Sequence, residues 1–498
     1  MSIRFLLIFL SFFFLLKQSF SRDPYIKIIQ RFEENDPILS SAMKVFLQDV
    51  TDDSTREIIV QNNYKFAVFQ VDIKGETLIP GQRFTLSPIE LGKGPYYFCF
   101  GCLEPDTKDA LFIMTPEALF RKDPGVQGED LPTTPEKIME YNRRYPQDDQ
   151  ATQISHVQFA VDIEGDGYNE LILPEENGFS LHKKYGNEIR EIPIPQGEIH
   201  RRTQFNADIS YVNYRCMINQ QMDLISFGDG KAKSLVYYPK DPGDKEKSVI
   251  HIYRPHTPLS FSKEPDQEII IEKEPILRIE SFSLISDFDK DGFMDVIFGE
   301  SNYDMFSPLT ILKFYKAFPQ KTSILERPDQ QIRLRDSNGI FFFDDFSGDG
   351  FTDFCLLQFD YNASSTDDVV EFFVNNYTRY RLNFHYYDPE ISGYSSISKV
   401  SLPIRIKRSV YPYMRARRSI SLDGDFNGDG LKDIMAIVSP DRGEIYIQNP
   451  GGIDKKPYAT FDAYNALFFY IDDIDRGGRD DLVLISLKNK ILSLYLFR

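Results

Sequence analysis

DFDKDGFMDVIF, residues 287–298, sets four carboxylates within nine residues and then turns apolar. Asp287, Asp289, Asp291 and Asp295 fall at positions 1, 3, 5 and 9 of the phrase, and Gly292 at position 6. Val296, Ile297 and Phe298 follow at once. Like charges this close repel, so the pattern calls for a counter-charge. The phrase recurs as DIEGDGYNELIL from Asp162, DFSGDGFTDFCL from Asp345, DFNGDGLKDIMA from Asp425 and DIDRGGRDDLVL from Asp473. Weaker echoes are DVTDDSTREIIV from Asp49 and GCLEPDTKDALF from Gly101. An apolar strand also begins at Asp223 in QQMDLISFGDG. Self-similarity at a unit of roughly 50–80 residues predicts a repeat architecture whose units bury their faces against neighbours.

Short apolar runs flank each acid cluster. HVQFAVD, SFSLISD, GIFFFDD, RSISLDGD and ALFFYIDD precede the clusters; ELILP, DVIFG, DFCLLQF, DIMAIV and DLVLISL follow them. Their length and their Ile, Val, Phe and Leu content predict strands, with each cluster as a tight loop between two buried strands. TTPEKIMEYNRRY (133–145), with a threonine cap and a proline entry, is the one helix candidate. The abundance of aromatic residues, 42 Phe and 28 Tyr with no Trp, also leans toward β structure.

The residue types suit a hard divalent cation. Ca²⁺ takes six to eight oxygen ligands in flexible geometry. Positions 1, 3, 5 and 9 supply carboxylates or other oxygens, position 7 a backbone carbonyl, and glycine at 6 permits the turn. The candidate ligands are therefore Asp162, Glu164, Asp166, Tyr168 and Glu170; Asp287, Asp289, Asp291, Phe293 and Asp295; Asp345, Ser347, Asp349, Phe351 and Asp353; and Asp425, Asn427, Asp429, Leu431 and Asp433. The last copy offers Asp473, Asp475 and Asp481 but has Gly477 at position 5. Four or five Ca²⁺ are expected. An EF-hand requires a bidentate Glu at position 12 and flanking helices. Position 12 here is Leu173, Phe298, Leu356 or Ala436, and the flanks read as strands.

These loops resemble the FG-GAP/VCBS repeats of integrin alpha-chain propellers and of secreted bacterial proteins. The resemblance implies an all-β propeller of four-stranded blades with calcium in a loop between two blade strands. Seven blades are expected, with eight as the alternative. FGE at 298–300 and FGD at 227–229 are the remnants of the family's dipeptides. YIKIIQRF (25–32) reads as a strand, and the chain stops in ILSLYLFR. Pairing of the two ends would close the ring.

MSIR followed by FLLIFLSFFFLL (5–16) and the small residues around Ser21 predicts a signal peptide over 1–21, and hence a secreted or periplasmic protein. Residues 22–498 are then a single propeller domain, with an insert at about 360–420. A formal net charge of −18 argues against nucleic-acid partners. No later segment is apolar enough to span a membrane. The four Cys (99, 102, 216, 355) are too few for a disulfide scaffold, and Cys99 and Cys102 are read as a local disulfide or as packed thiols. The six His (156, 182, 200, 251, 256, 385) show no metal spacing. No HExxH, GxSxG or Walker phrase occurs.

One stretch departs from the acidic background: Arg405, Lys407, Arg408, Arg415, Arg417 and Arg418, preceded by the Tyr-rich segment from Asn376. It is either a ligand surface for an acidic or glycan partner or a long charged hairpin. The expected function is a non-enzymatic extracellular binding or adhesion module for a protein or glycan. A propeller-fold polysaccharide lyase or hydrolase and a scaffold subunit of an envelope complex are the alternatives.

Overall fold

The computed structural model describes residues 24–498 except 42, 52, 54, 93, 95, 104–107, 125–133, 141–153, 176–177, 184–187, 193–221, 227–231, 238–246, 257–259, 273–280, 303–308, 318–321, 326, 336, 361–364, 409–418 and 451. The leader at 1–21, Cys216, Arg415, Arg417, Arg418 and the FGD at 227–229 therefore lie outside the described residues.

Eight antiparallel sheets form a propeller. Blade 1 comprises Lys44–Gln48, Glu57–Asn62, Lys65–Asp72 and Thr77–Thr85. Blade 2 comprises Tyr96–Gly101, Ala110–Met114, Ala118–Lys122 and Glu136–Glu140, with Ile154–His156 added in parallel. Blade 3 is Ala160–Val161, Glu170–Glu175, Gly178–Lys183 and Glu188–Ile192. Blade 4 is Met222–Ser226, Lys233–Tyr237, Lys247–Tyr253 and Gln267–Glu272, extended by Thr322–Leu325. Blade 5 is Ser281–Ser286, Asp295–Asn302, Leu309–Tyr315 and Gln330–Arg335. Blade 6 is Ser337–Asp344, Asp353–Phe359, Tyr377–His385 and Val400–Lys407. Blade 7 is Ile420–Gly424, Asp433–Ser439, Arg442–Tyr446 and Ala459–Asp462. Blade 8 takes Phe468–Asp472, Asp481–Ser486 and Ile491–Phe497 from the end of the chain and Tyr25–Arg31 from its start. The four strands of a blade are called A to D in this order.

The count is thus eight, not the seven expected first. Blade 1 keeps Asp49, Asp53 and Glu57 but has Ser54 in place of the glycine at position 6, and blades 2 and 4 have lost most of the acidic phrase, so a count based on the full phrase falls short. The expected helix at 133–145 is also corrected. Glu136–Glu140 is strand D of blade 2 and pairs with Ala118–Lys122. Edge pairing overrides the local capping signal there, as tertiary context does for weak propensities.

The uninterrupted apolar runs have a simple cause. Each blade is sandwiched, so both faces of its central strands are buried. In blade 8, Leu482 and Leu484 join a core shared with blades 6 and 7, while Val483 and Ile485 join one shared with blade 1. In blade 1, Ile58 and Val60 face blade 8 and Ile59 faces blade 2. Further clusters join blades 2, 3 and 4, blades 4 and 5, and blades 5 and 6, so the core runs around the ring.

The ends close that ring as expected. Tyr25–Arg31 pairs antiparallel with Ile491–Phe497, Ile28 opposite Leu494 and Tyr25 opposite Phe497. Arg498 N–H donates to the Pro24 carbonyl at 3.0 Å. The segment at about 360–420 contains strands C and D of blade 6, and its B–C connection carries a helix at Thr366–Phe373 capped by Ser365.

Candidate metal centres

All five acidic phrases fall in A–B loops, at one corner of blades 3, 5, 6, 7 and 8. The echo at Asp49 is the same loop of blade 1. In blade 2 the frame moves by one residue, because Gly101 ends strand A and Ala110 opens strand B. Cys102 then takes position 1, Asp109 position 8 and Ala110 position 9. In blade 4, Met222–Ser226 is strand A and Ser234 takes position 9 in strand B.

Three features of the loop are independent of any metal. The apolar residue at position 2 is a plug: Val50, Ile163, Phe288, Phe346, Phe426 and Ile474 are at most 1% exposed. The loops are also linked around the ring. Position 8 donates its N–H to position 1 or 2 of the preceding blade's loop: Asp109 to the Asp49 carbonyl, Asn169 to Cys102, Lys233 to Ile163, Thr352 to Phe288, Asp480 to Asp425 and Arg56 to Ile474, at 2.7–3.3 Å. Finally, positions 4 and 6 are left-handed, with φ of 76° at Gly428 and 86° at Gly430. Gly292 and Lys290 repeat the pair at 85° and 60°.

The acid at position 9 does more than the sequence predicts. Asp295, Asp353, Asp433 and Asp481 are fully buried. One oxygen accepts from the loop: Phe288 N–H to Asp295 at 3.1 Å, Ser347 N–H to Asp353 at 2.8 Å, Phe426 N–H to Asp433 at 2.8 Å and Ile474 N–H to Asp481 at 3.0 Å. The other oxygen accepts from the residue just past strand C or at its end: Ala317, Tyr387, Gln448 and Phe497, at 2.7–2.9 Å. Glu57 and Glu170 keep the loop bond, to Val50 N–H and Ile163 N–H, both at 2.8 Å. The acid is a staple between loop and strand. Each oxygen retains a second lone pair for a cation.

Positions 1 and 5 fold the loop around themselves. Asp425 accepts from the Gly428, Asp429 and Gly430 N–H groups, and Asp429 from Leu431 N–H. Asp162 accepts from Gly165, Asp166 and Gly167. Asp166, Asp291 and Asp349 receive the N–H of Tyr168, Phe293 and Phe351. Asp345 receives Gly348 N–H, and Asp473 receives those of Gly477 and Gly478. At position 3, Ser347 lies 3.5 Å from Asp345, and Asn427 donates to Asp429 at 2.8 Å.

Three sets of carboxylate oxygens converge to within 4.8 Å of one another: Glu164, Asp166 and Glu170; Asp287, Asp289 and Asp295; Asp473, Asp475 and Asp481. Asp162 and Asp291 stand outside these triplets. The set at 473 forms without an acid at position 5. Asp287 Oδ1 is buried and accepts no hydrogen bond among the described residues. A buried carboxylate oxygen without a donor, inside an all-oxygen cluster, fits a hard divalent cation. Such an ion would add positive charge and bind two of the other loop acids to the position-9 staple.

The electrostatics point the same way. Burial pushes Glu57, Glu170, Asp353 and Asp433 up to about 7, and Asp295 and Asp481 up to about 8. Burial first, then the neighbouring carboxylates, also raises Asp287. An acid with a raised folded pKa contributes stability in full below its unfolded value, near 4, and loses it as pH climbs through the folded value. In EDTA the melting temperature is therefore expected to fall between pH 5 and pH 8. Excess calcium should flatten that slope, and thermal melts across the range check both.

Other candidate residues make contacts within the fold. Cys99, buried in strand A of blade 2, and Cys102 are not joined in a disulfide. His156 packs against Phe46 and Phe98, with burial pushing it down to about 3, and His385 stacks on Phe354 at 4.5 Å. Of the basic stretch, Arg405 grips both Glu371 oxygens and lies 4.9 Å from the centre of the Tyr377 ring. Arg408 lies over Phe372 at 4.2 Å. Both tie the Thr366–Phe373 helix to blade 6. Among the described residues no helix is long and apolar enough to cross a membrane.

No protein-family model and no curated protein matches the chain. Solved structures resemble it at low identity. One is an Agrocybe aegerita lectin recognising non-reducing terminal N-acetylglucosamine, at 9% identity over 73% of this chain and 80% of the lectin, TM-score 0.37. An exotype rhamnogalacturonan lyase is 11% identical over 96% of this chain and 76% of its own, TM-score 0.31. A Bacillus licheniformis rhamnogalacturonan lyase is 10% identical over 95% and 76%, TM-score 0.30.

Proposed function

We propose that the chain is a secreted, calcium-stabilised propeller of the FG-GAP/VCBS kind that serves as an extracellular binding module for a protein or glycan ligand. The observation that carries the reading is the A–B loop of blades 3, 5 and 8, where the position-9 acid and two other loop acids bring carboxylate oxygens within 4.8 Å of one another. The leader pattern at 1–21 supports export to compartments where millimolar calcium fills modest sites.

A supporting role for these acids follows from where the perturbed chemistry lies. Strongly shifted carboxyls in a cleft mark an active site. Here the carboxyls raised to about 6–8 are Glu57, Asp109, Glu170, Asp295, Asp353, Asp433 and Asp481. Each belongs to an A–B loop or opens the strand after it, and six of them bind backbone N–H groups. Their shifts serve the fold, and the ring's surface is left for the ligand.

Calorimetric titration of the chelator-stripped mature chain with calcium tests the reading. Uptake of four or five ions is expected. Absence of any calcium heat, with no ion retained after gel filtration, defeats it.

A further inference from the structure

Strand register puts one residue of strand C opposite the position-9 acid in every blade that has one. Leu171 pairs with His182, so Lys183 stands opposite Glu170. Val296 pairs with Tyr315, so Lys316 stands opposite Asp295. The same position is Gln70 in blade 1, Tyr386 in blade 6, Ile447 in blade 7 and Leu496 in blade 8.

In blades 3 and 5 the residue is a lysine that reaches into the loop. Lys183 Nζ bonds Glu164 and lies 3.6 Å from Asp166. Lys316 Nζ lies 2.7 Å from Asp289 Oδ2, and also reaches Tyr387 Oη at 3.0 Å and Ser392 Oγ at 2.7 Å. In both blades the acid at position 3 is a candidate metal ligand, so the ammonium occupies a carboxylate that the ion needs. The two loops with four acids at positions 1, 3, 5 and 9 each hold a lysine from their own strand C, whereas in blade 1 the position-1 acid Asp49 pairs with Arg476 of the neighbouring loop at 2.6 Å. In blade 7, Ile447 offers no charge, and the Asp425 and Asp429 carboxylates accept from loop N–H groups and Asn427.

We propose that Lys183 and Lys316 are built-in counter-cations that grade the loops, holding blades 3 and 5 folded without metal and weakening their calcium affinity relative to blade 7. This rests on the calcium reading above. A calcium ion entering either loop must break or share the ammonium–carboxylate contact. The lysine end of strand C keeps the loop acids partly neutral while the site is empty. Both lysines are positioning residues acting through Glu164, Asp166 and Asp289. The device predicts staged filling, with blade 7, where Ile447 stands in place of the lysine, ahead of blades 3 and 5.

The test uses the full mature chain stripped with EDTA, as wild type, Lys183→Met, Lys316→Met and the charge-keeping Lys316→Arg. Calcium alone is the probe, read by competition with a chromophoric chelator and by melts in EDTA and in calcium. Each Met variant is expected to tighten one calcium site by about two- to fivefold, the scale of losing one partly exposed ion pair. Each should melt lower than wild type in EDTA and gain more from calcium, while Lys316→Arg stays near wild type. A lysine that merely supports the fold would lower both melts equally and leave affinity unchanged, which overturns the proposal. Should one Met variant fail to fold, the other carries the same test in a separate blade. Calcium binding by wild type with unaltered sites in the Met variants defeats only this proposal. No calcium binding by wild type defeats the loop reading as well.

Discussion

Asp433→Ala is expected to destabilise the protein by about 2–5 kcal/mol in EDTA, before any metal contributes. The carboxylate is fully buried, and its oxygens accept from Phe426 N–H at 2.8 Å and Gln448 N–H at 2.9 Å. Alanine leaves two buried donors without acceptors, each costing about 1–3 kcal/mol. The plug at Phe426 also loses its tether, and its ring packs 5.0 Å from Phe497 of the next blade. Asp433→Asn keeps one acceptor and should lose about half as much. Urea unfolding of the two variants beside wild type, all in EDTA, checks the order. A loss below about 0.5 kcal/mol for alanine would mean the position-9 acid is only a ligand.

Ile28→Asp should open the ring. Ile28 is 3% exposed and lies in the core that joins blades 8 and 1, among Val45, Leu492 and Leu494. A carboxylate there is buried without a partner, a change that falls in the tail of about 4 kcal/mol or more. Detachment of Tyr25–Arg31 would leave Ile491–Phe497, buried along its whole length, as an unpaired apolar edge. Rapid proteolysis near residue 32 and aggregation are the expected signs. Ile29, one residue on and 39% exposed, is the control. Ile29→Asp should change stability by about 0.5 kcal/mol or less. Equal effects at both positions would contradict closure through this strand.

How far the sequence carries the argument depends on the loop. Where the acids survive, as at Asp287 and Asp425, phrase and following strand are visible together, and so are the fold and the candidate oxygen donors. The blade count needed a different mark. Blade 2 keeps the plug as Leu103, 7% exposed, and the ring bond from Asp109 N–H, but Ala110 replaces the acid. A backbone bond between loops some 60 residues apart leaves no trace in composition. The second duty of Asp295 was hidden for the same reason, since its partner Ala317 lies past strand C. Lys183 and Lys316 become comparable only after register aligns two strand ends. Glu136–Glu140 misled because a proline and threonine before it imitate a helix start, while the pairing that makes it a strand lies in Ala118–Lys122.

The most direct measurement is the thermal unfolding of the stripped chain in excess EDTA and in excess calcium at one pH. Each site at a hundred times its dissociation constant adds about 2.7 kcal/mol, so several filled loops should raise the melting temperature by many degrees. Superimposable curves in the two buffers would contradict the account.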